Sequence, residues 1–281
     1  MNTPELPNEE TTMITTSPPP ATPSTSPSSS RRAWIVAGSV FCVIALGYGV
    51  LGVVDLLSFD RDHFERTFSE TIKTVQISNG AGSVVVLGDS TGTVVVDGST
   101  RRGLRAPTHT ETVAGDRLTL DADCPSFLTA FCNLGYTVHV PAGVDVVIRS
   151  SGGGVRLVDL TGTVDASSSG GSVRVTGASG ALKLRSSGGS ITGDGLSSTS
   201  VDASSSGGGV KLTFATAPTS VVANSSGGGV TVELPNTTDA YLLHASSSGG
   251  SVSTPVRTDP TSARVIDVHS SGGGVTVRYP K

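Results

Sequence analysis

Few residues in this 281-residue chain have the types and spacing that chemistry requires. Gly88-Asp89-Ser90-Thr91-Gly92 has the Gly-x-Ser-x-Gly spacing of a nucleophile elbow, which places a serine on a sharp turn between a strand and a helix. The residues that follow, Thr93-Val94-Val95-Val96, are strand formers. The pattern therefore predicts a turn between two strands. Five histidines, His63, His109, His139, His244 and His269, show no metal-motif spacing. The outward acids Asp165, Asp202 and Asp267 lie in separate repeats, too far apart to share one acid–base site. The Gly-rich loops hold Ser and Gly but no carboxylate, so the calcium chemistry of Asp-bearing β-rolls lacks its ligands. The expectation is a chain with no catalytic residue, no metal and no cofactor.

Cys124 and Cys132 lie eight residues apart, and an oxidising compartment permits a disulfide between them. Phe127, Leu128 and Phe131 sit inside that interval. Two readings stay open: a loop folded over the edge of the core, or an exposed recognition loop. In the second, the nearby Arg101, Arg102 and Arg105 contact anionic wall polymers or lipid headgroups. In the first, the arginines are simply solvated.

The elements that position these residues come from a repeat. Ser-Ser-Gly-Gly-x-Val/Ile occurs seven times, with first serines at Ser150, Ser168, Ser186, Ser205, Ser225, Ser247 and Ser270. Periods near 20 residues mark solenoid arrays. Counting from the first serine, positions −4, −2, +5 and +7 are apolar in 26 of 28 cases, the exceptions being Gly193 and Thr254. Positions −3 and +6 are polar in 12 of 14 cases. This alternation of period two predicts strands with one buried face.

The inward parity changes across each Ser-Ser-Gly-Gly, so the chain must bend there. The corner glycines are Gly152, Gly153, Gly170, Gly171, Gly188, Gly189, Gly207, Gly208, Gly227, Gly228, Gly249, Gly250, Gly272 and Gly273. Glycine there supplies positive φ and close approach, and stacked serines can hydrogen-bond to one another. The fold class read from this is all-β: a parallel β-solenoid with coils of about 18–23 residues, two strands each. Successive strands ~4.8 Å apart give roughly 29 Å for the six intervals. A degraded copy at 75–86 extends the register upstream, Gly92–Val96 follows as a further piece, and 97–145 is the irregular part.

Four segments follow. Residues 1–32, rich in Pro, Ser and Thr, are expected to be a disordered cytoplasmic tail. Residues 33–57 are expected to be a transmembrane signal-anchor helix: no charge falls between Arg32 and Asp55, Trp34 suits an interface, and Arg31-Arg32 hold the N-terminus inside. Residues 58–69 are read as a short stalk, with helix as one option. Residues 70–281 are the solenoid, outside the cell. From Asp55 onward the net charge is only −3, so no strong field attracts nucleic acid.

An Arg-flanked span, a Cys-x7-Cys element, Tyr136–Val144 and then the tandem repeat together resemble the bacterial putative-adhesin family of β-strand-repeat envelope proteins, a domain of unknown function. The resemblance covers about 70–280 and implies an actinobacterial-type, membrane-anchored member with no catalytic residues to transfer. The reading is a single-pass surface protein for adhesion, envelope scaffolding or ligand binding. Its partners are the membrane and a cell-wall polymer or another envelope protein. The rival reading is a sensor of envelope stress or of a ligand that relays to the tail.

Overall fold

The computed structural model describes residues 28–57, 60–102, 107–124 and 132–280, with side chains over 34–50, 62–101, 107–124 and 132–280. Of the tail expected over 1–32, residues 1–27 lie outside them, and 28–32 belong to a helix and not to a disordered segment. Two units are distinct, residues 1–50 and 51–281.

Helix α1 spans Ser28–Leu57. Its described side chains, from Trp34 to Val50, are all exposed. Among the described residues no helix is long and apolar enough to cross a membrane.

The second unit is built of strands. In chain order they are β1 (Asp60–Phe68), β2 (Thr74–Asn79), β3 (Val84–Asp89), β4 (Val94–Arg102), β5 (Thr108–Ala114), β6 (Arg117–Asp123) and β7 (Asn133–Pro141). The seven repeats follow as pairs: β8 (Asp145–Ser150) with β9 (Val155–Val158), β10 (Val164–Ser168) with β11 (Val173–Thr176), β12 (Leu182–Ser186) with β13 (Ile191–Leu196), β14 (Ser200–Ser205) with β15 (Val210–Phe214), β16 (Ser220–Ser225) with β17 (Val230–Glu233), β18 (Leu242–Ser247) with β19 (Val252–Ser253), and β20 (Val265–Ser270) with β21 (Val275–Arg278). The first member of each pair lies in a ten-stranded sheet B and the second in an eleven-stranded sheet A.

Neighbouring repeats pair in parallel and in register, so Val146, Val164, Leu182, Val201 and Val221 stack in one column. The predicted inward residues are buried in every repeat but the sixth. There Leu243 and Ala245 are half-buried and Val252 is 45% exposed.

The rung order explains the exception. The seventh repeat inserts between the fifth and the sixth: β20 pairs with β16 on one side and β18 on the other. The sixth repeat is therefore the end of the stack, which corrects a simple chain-order solenoid. Thr254 at its inward position suits a rung with one open side. At the other end β2 and β3 lie between β8/β9 and β6/β7.

Two more expectations are corrected. The stalk segment contains strand β1, antiparallel to β4. The segment is extended and not helical, so Phe64, Arg66 and Phe68 share one face of the strand. The Val94–Val96 stretch is no parallel coil: β4 runs antiparallel to β7, and β5 antiparallel to β6. The stretch 97–145, read as irregular, thus contains β5, β6, β7 and most of β4, and its strands close the N-terminal end.

The corner works differently from the sequence expectation. No corner glycine of the seven repeats has positive φ. Space is the requirement: a Cβ on Gly171 would lie 2.4 Å from Gly153 carbonyl carbon, and one on Gly208 2.6 Å from Ser190 N. The first serines do not bond to one another. Ser186 Oγ donates to Gly171 O of the previous rung (2.9 Å) and accepts from Gly189 N–H (2.9 Å). The ladder follows the spatial order, with Ser270 donating to Gly228 O and Ser247 to Gly273 O. Asn79 takes the serine's place in the degraded copy, donating to Gly82 O and Leu134 O. A second glycine corner went unread: a Cβ on Gly180 would meet Gly162 O at 1.9 Å.

Candidate binding groove at the N-terminal end

Past the last parallel rung, β4 and β1 extend sheet A beyond β7, and β5 extends sheet B beyond β6. The inner side of this cap is aromatic. Phe64 faces Gly98 across the ladder, and a Cβ there would lie 2.0 Å from its ring. Glycine at 98 therefore lets the ring cross the strand. Phe64 stacks on His109 of β5 at 4.4 Å and meets Tyr136 of β7 edge-on at 6.4 Å. Arg66 Nε pairs with Glu111 Oε2 at 2.9 Å, tying β1 to β5, with the Glu111 side chain only 2% exposed.

Two buried polar atoms here lack a hydrogen-bond partner, Glu111 Oε1 and Tyr136 Oη. Burial pushes the Tyr136 phenol well above its ordinary range, and the Glu111 and Asp121 carboxylates push it further. The phenol is thus a neutral donor at any physiological pH.

On the outer side of the same strands lies an open groove of about 1020 Å³. Its polar residues come from alternating outward positions: His63 and Glu65 of β1, Asp97 and Arg101 of β4, Asn133 and Thr137 of β7. Its wall is the backbone of two corners, 81–83 and 152–154. These corners touch so closely that a Cβ on Gly153 would lie 1.7 Å from Gly82 O. Gly82, at φ 117°, adopts a conformation that only glycine takes freely. The groove offers carboxylates, a guanidinium, an imidazole, an amide and hydroxyls on an open polar floor. Such a surface holds a polar ligand by hydrogen bonds more than by apolar burial.

Cys124 and Cys132 are joined, with Cα atoms 5.8 Å apart, and Asn133 of the groove directly follows the bridge. Arg101 lines the groove and is exposed. Arg102 ends β4, with its side chain outside the described residues. Arg105, Phe127, Leu128 and Phe131 also lie outside them. The sequence reading missed β1, and with it His63, Phe64 and Glu65; Arg66 on the same face as Phe64 and Phe68 hides the apolar alternation that would have marked a strand.

The Gly-x-Ser-x-Gly segment is a turn from β3 to β4. The Asp89 carboxylate accepts hydrogen bonds from the Thr91 N–H (2.9 Å) and hydroxyl. Those bonds, helped by His139 at 3.6 Å, hold Asp89 below the usual carboxylate range. A strand follows, not a helix. Among the described residues no group of three or more His, Cys, Asp or Glu side chains could hold a metal.

Residues 142–278 match the family model described as Toastrack DUF4097. The match spans the seven repeats, including the 152–154 wall of the groove, and leaves out the strands β1 to β7 that carry its side chains. No curated protein matches the chain. Among solved structures it is similar to a putative cell adhesion protein from Clostridium sporogenes, at 12% identity and a TM-score of 0.37, over 79% of this chain and 100% of that one. It is also similar to putative adhesins from Parabacteroides merdae (11% identity, TM-score 0.31, 79% of this chain, 97% of that one) and Bacteroides fragilis (13%, 0.29, 77% and 97%).

Proposed function

We propose that this chain is a non-catalytic surface protein whose rigid β-stack presents the N-terminal groove for adhesion-like binding of a polar wall component. The observation that carries the reading is the groove itself: polar, open, backed by a packed aromatic cap and flanked by a disulfide. Fold alone does not assign a ligand.

The proposal includes a membrane anchor. The support is in the sequence: the 22 residues from Ala33 to Val54 match the ~20 that crossing a hydrocarbon core requires. No charge falls between Arg32 and Asp55, and Trp34 and Phe41 are 78% and 72% exposed. Arg31-Arg32 favour a cytoplasmic N-terminus, leaving the β-unit outside.

Retention of the full-length protein on purified cell-wall fractions tests the binding. Thr137→Trp fills the groove from an outward position and is expected to abolish most retention. Equal retention of variant and parent would remove the groove from the reading. Protease added to intact protoplasts is expected to cleave the β-unit and spare the tail; protection of the β-unit would overturn the topology.

A further inference from the structure

Outward arginines of the repeats are paired with a carboxylate on a neighbouring rung at Arg149, Arg185 and Arg278, but not at Arg156 and Arg174. On sheet B, Arg149 pairs with Asp165 at 3.0 Å and Arg185 with Asp202 at 3.1 Å, each across one rung. On sheet A, Arg156 and Arg174 are directly opposite in adjacent strands. Both are exposed, and neither makes an ion pair among the described residues. Thr192 continues the same file on the next rung and Lys211 on the one after. Lys211 lies in the field of Glu233, whose carboxylate is already bonded to Arg278. Asp194 sits diagonally from Arg174, opposite Thr176, and forms no ion pair with it.

Like charges directly opposite on neighbouring strands repel. On sheet B an aspartate lies beside Arg149 and beside Arg185. On sheet A the chain leaves the repulsion standing, and it places a depression of about 230 Å³ between the two arginines, lined also by Ser83, Gly154 and Ser172. An arginine fork with neighbouring hydroxyls suits phosphate oxygens, which take two parallel N–H bonds from one guanidinium.

We propose that the outer face of sheet A binds a linear phosphate polymer, engaged by Arg156, Arg174 and Lys211. The cations form a single file along the stack, with strand spacing ~4.8 Å. A file matches a chain of phosphates. A flat anionic membrane would instead meet Asp194 beside it. The depression shares Ser83 and Gly154 with the groove wall, but Arg156, Arg174 and Lys211 do not line the groove.

The test uses the full-length chain and fluorescent inorganic polyphosphate, read by anisotropy across a salt series. Arg156→Gln with Arg174→Gln is expected to weaken binding about tenfold or more, and to lower the log–log salt slope by about two, one per lost phosphate contact. Arg149→Gln with Arg185→Gln removes the same charge from sheet B and is expected to change affinity less than about twofold. The sheet A variant should unfold at the parent's temperature or above it, because repulsion is relieved. That separates lost binding from misfolding. No binding by the parent, equal losses in both variants, or the same arginine dependence with tighter binding to phosphatidylglycerol vesicles would each overturn the proposal.

Discussion

At the residue scale, the serine of each corner is the clearest case of a small group with a large structural role. Ser186 is buried, and its hydroxyl both donates and accepts. Replacing it with Ala leaves a glycine N–H and a glycine C=O without their partner. The expected cost of Ser186→Ala is about 1–3 kcal/mol by urea unfolding, whereas exposed Ser187→Ala should cost under about 0.5 kcal/mol. Equal costs would mean the ladder contributes nothing. Tyr136 gives the opposite expectation. Its buried hydroxyl has no partner, so Tyr136→Phe should leave stability unchanged or raise it by up to about 1 kcal/mol. A fall would show that the hydroxyl is satisfied by something bound there.

Glu233 carries the pH dependence at this scale. Its bond to Arg278 (3.0 Å to Nε) holds its carboxyl below the ordinary range. The folded value is the lower one, so the contribution is present above the unfolded value and is lost as pH falls through the carboxylate range. Thermal unfolding should show parent and Arg278→Gln apart near neutral pH and convergent in acid. A gap that persists in acid would place the arginine's role in packing.

At the element scale, the corner is the unit that specifies the fold. A Cβ on Gly207 would lie 2.6 Å from Gly188 O, and the obstacle is backbone, which cannot swing aside. Gly207→Val or Gly208→Val should therefore destabilise by about 2–4 kcal/mol through overpacking. Exposed Lys183→Thr serves as the control at under about 0.5 kcal/mol. Unchanged midpoints for the glycine variants would mean a loose loop. The strand spacing of the repeat also tolerates insertion at defined points. The extra residue of the third interval is absorbed by a bulge between Gly193 and Leu196, where Gly195 has φ 61°.

At the scale of the whole molecule, the decisive feature is rung order. Nine parallel rungs in sheet B, β6 through β18, span about 38 Å at ~4.8 Å per interval. Asp267 lies between Val222 and His244. Val222→Cys with Asp267→Cys should form a disulfide under mild oxidation, because neighbouring strands put their Cα atoms within bonding range. Val222→Cys with His244→Cys should not, being two rungs apart, roughly 9.6 Å. The reverse result would restore a chain-order stack.

The sequence by itself determined the repeat, the inward columns and the need for glycine at each corner. These are local properties: a period of two settles which side chains face in, and a parity change forces a bend. It also placed Val75, Ile77, Val84 and Val86 in register with the first repeat, as their pairing with Val146, Ile148, Val155 and Leu157 shows. Only the tertiary structure decided that the seventh repeat sits inside the sixth. The connections 234–241 and 254–264 are long enough to reach either neighbour, so their sequences leave the order open. The same holds at the N-terminal end. Whether Phe64 belongs to a helix or to a strand over Gly98 depends on a partner 34 residues away, and the groove exists only once that pairing is made. The serine's partner is likewise a carbonyl of another rung, which no local pattern specifies. Contacts within a rung are written in adjacent residues; contacts between rungs depend on which loop closes on which edge.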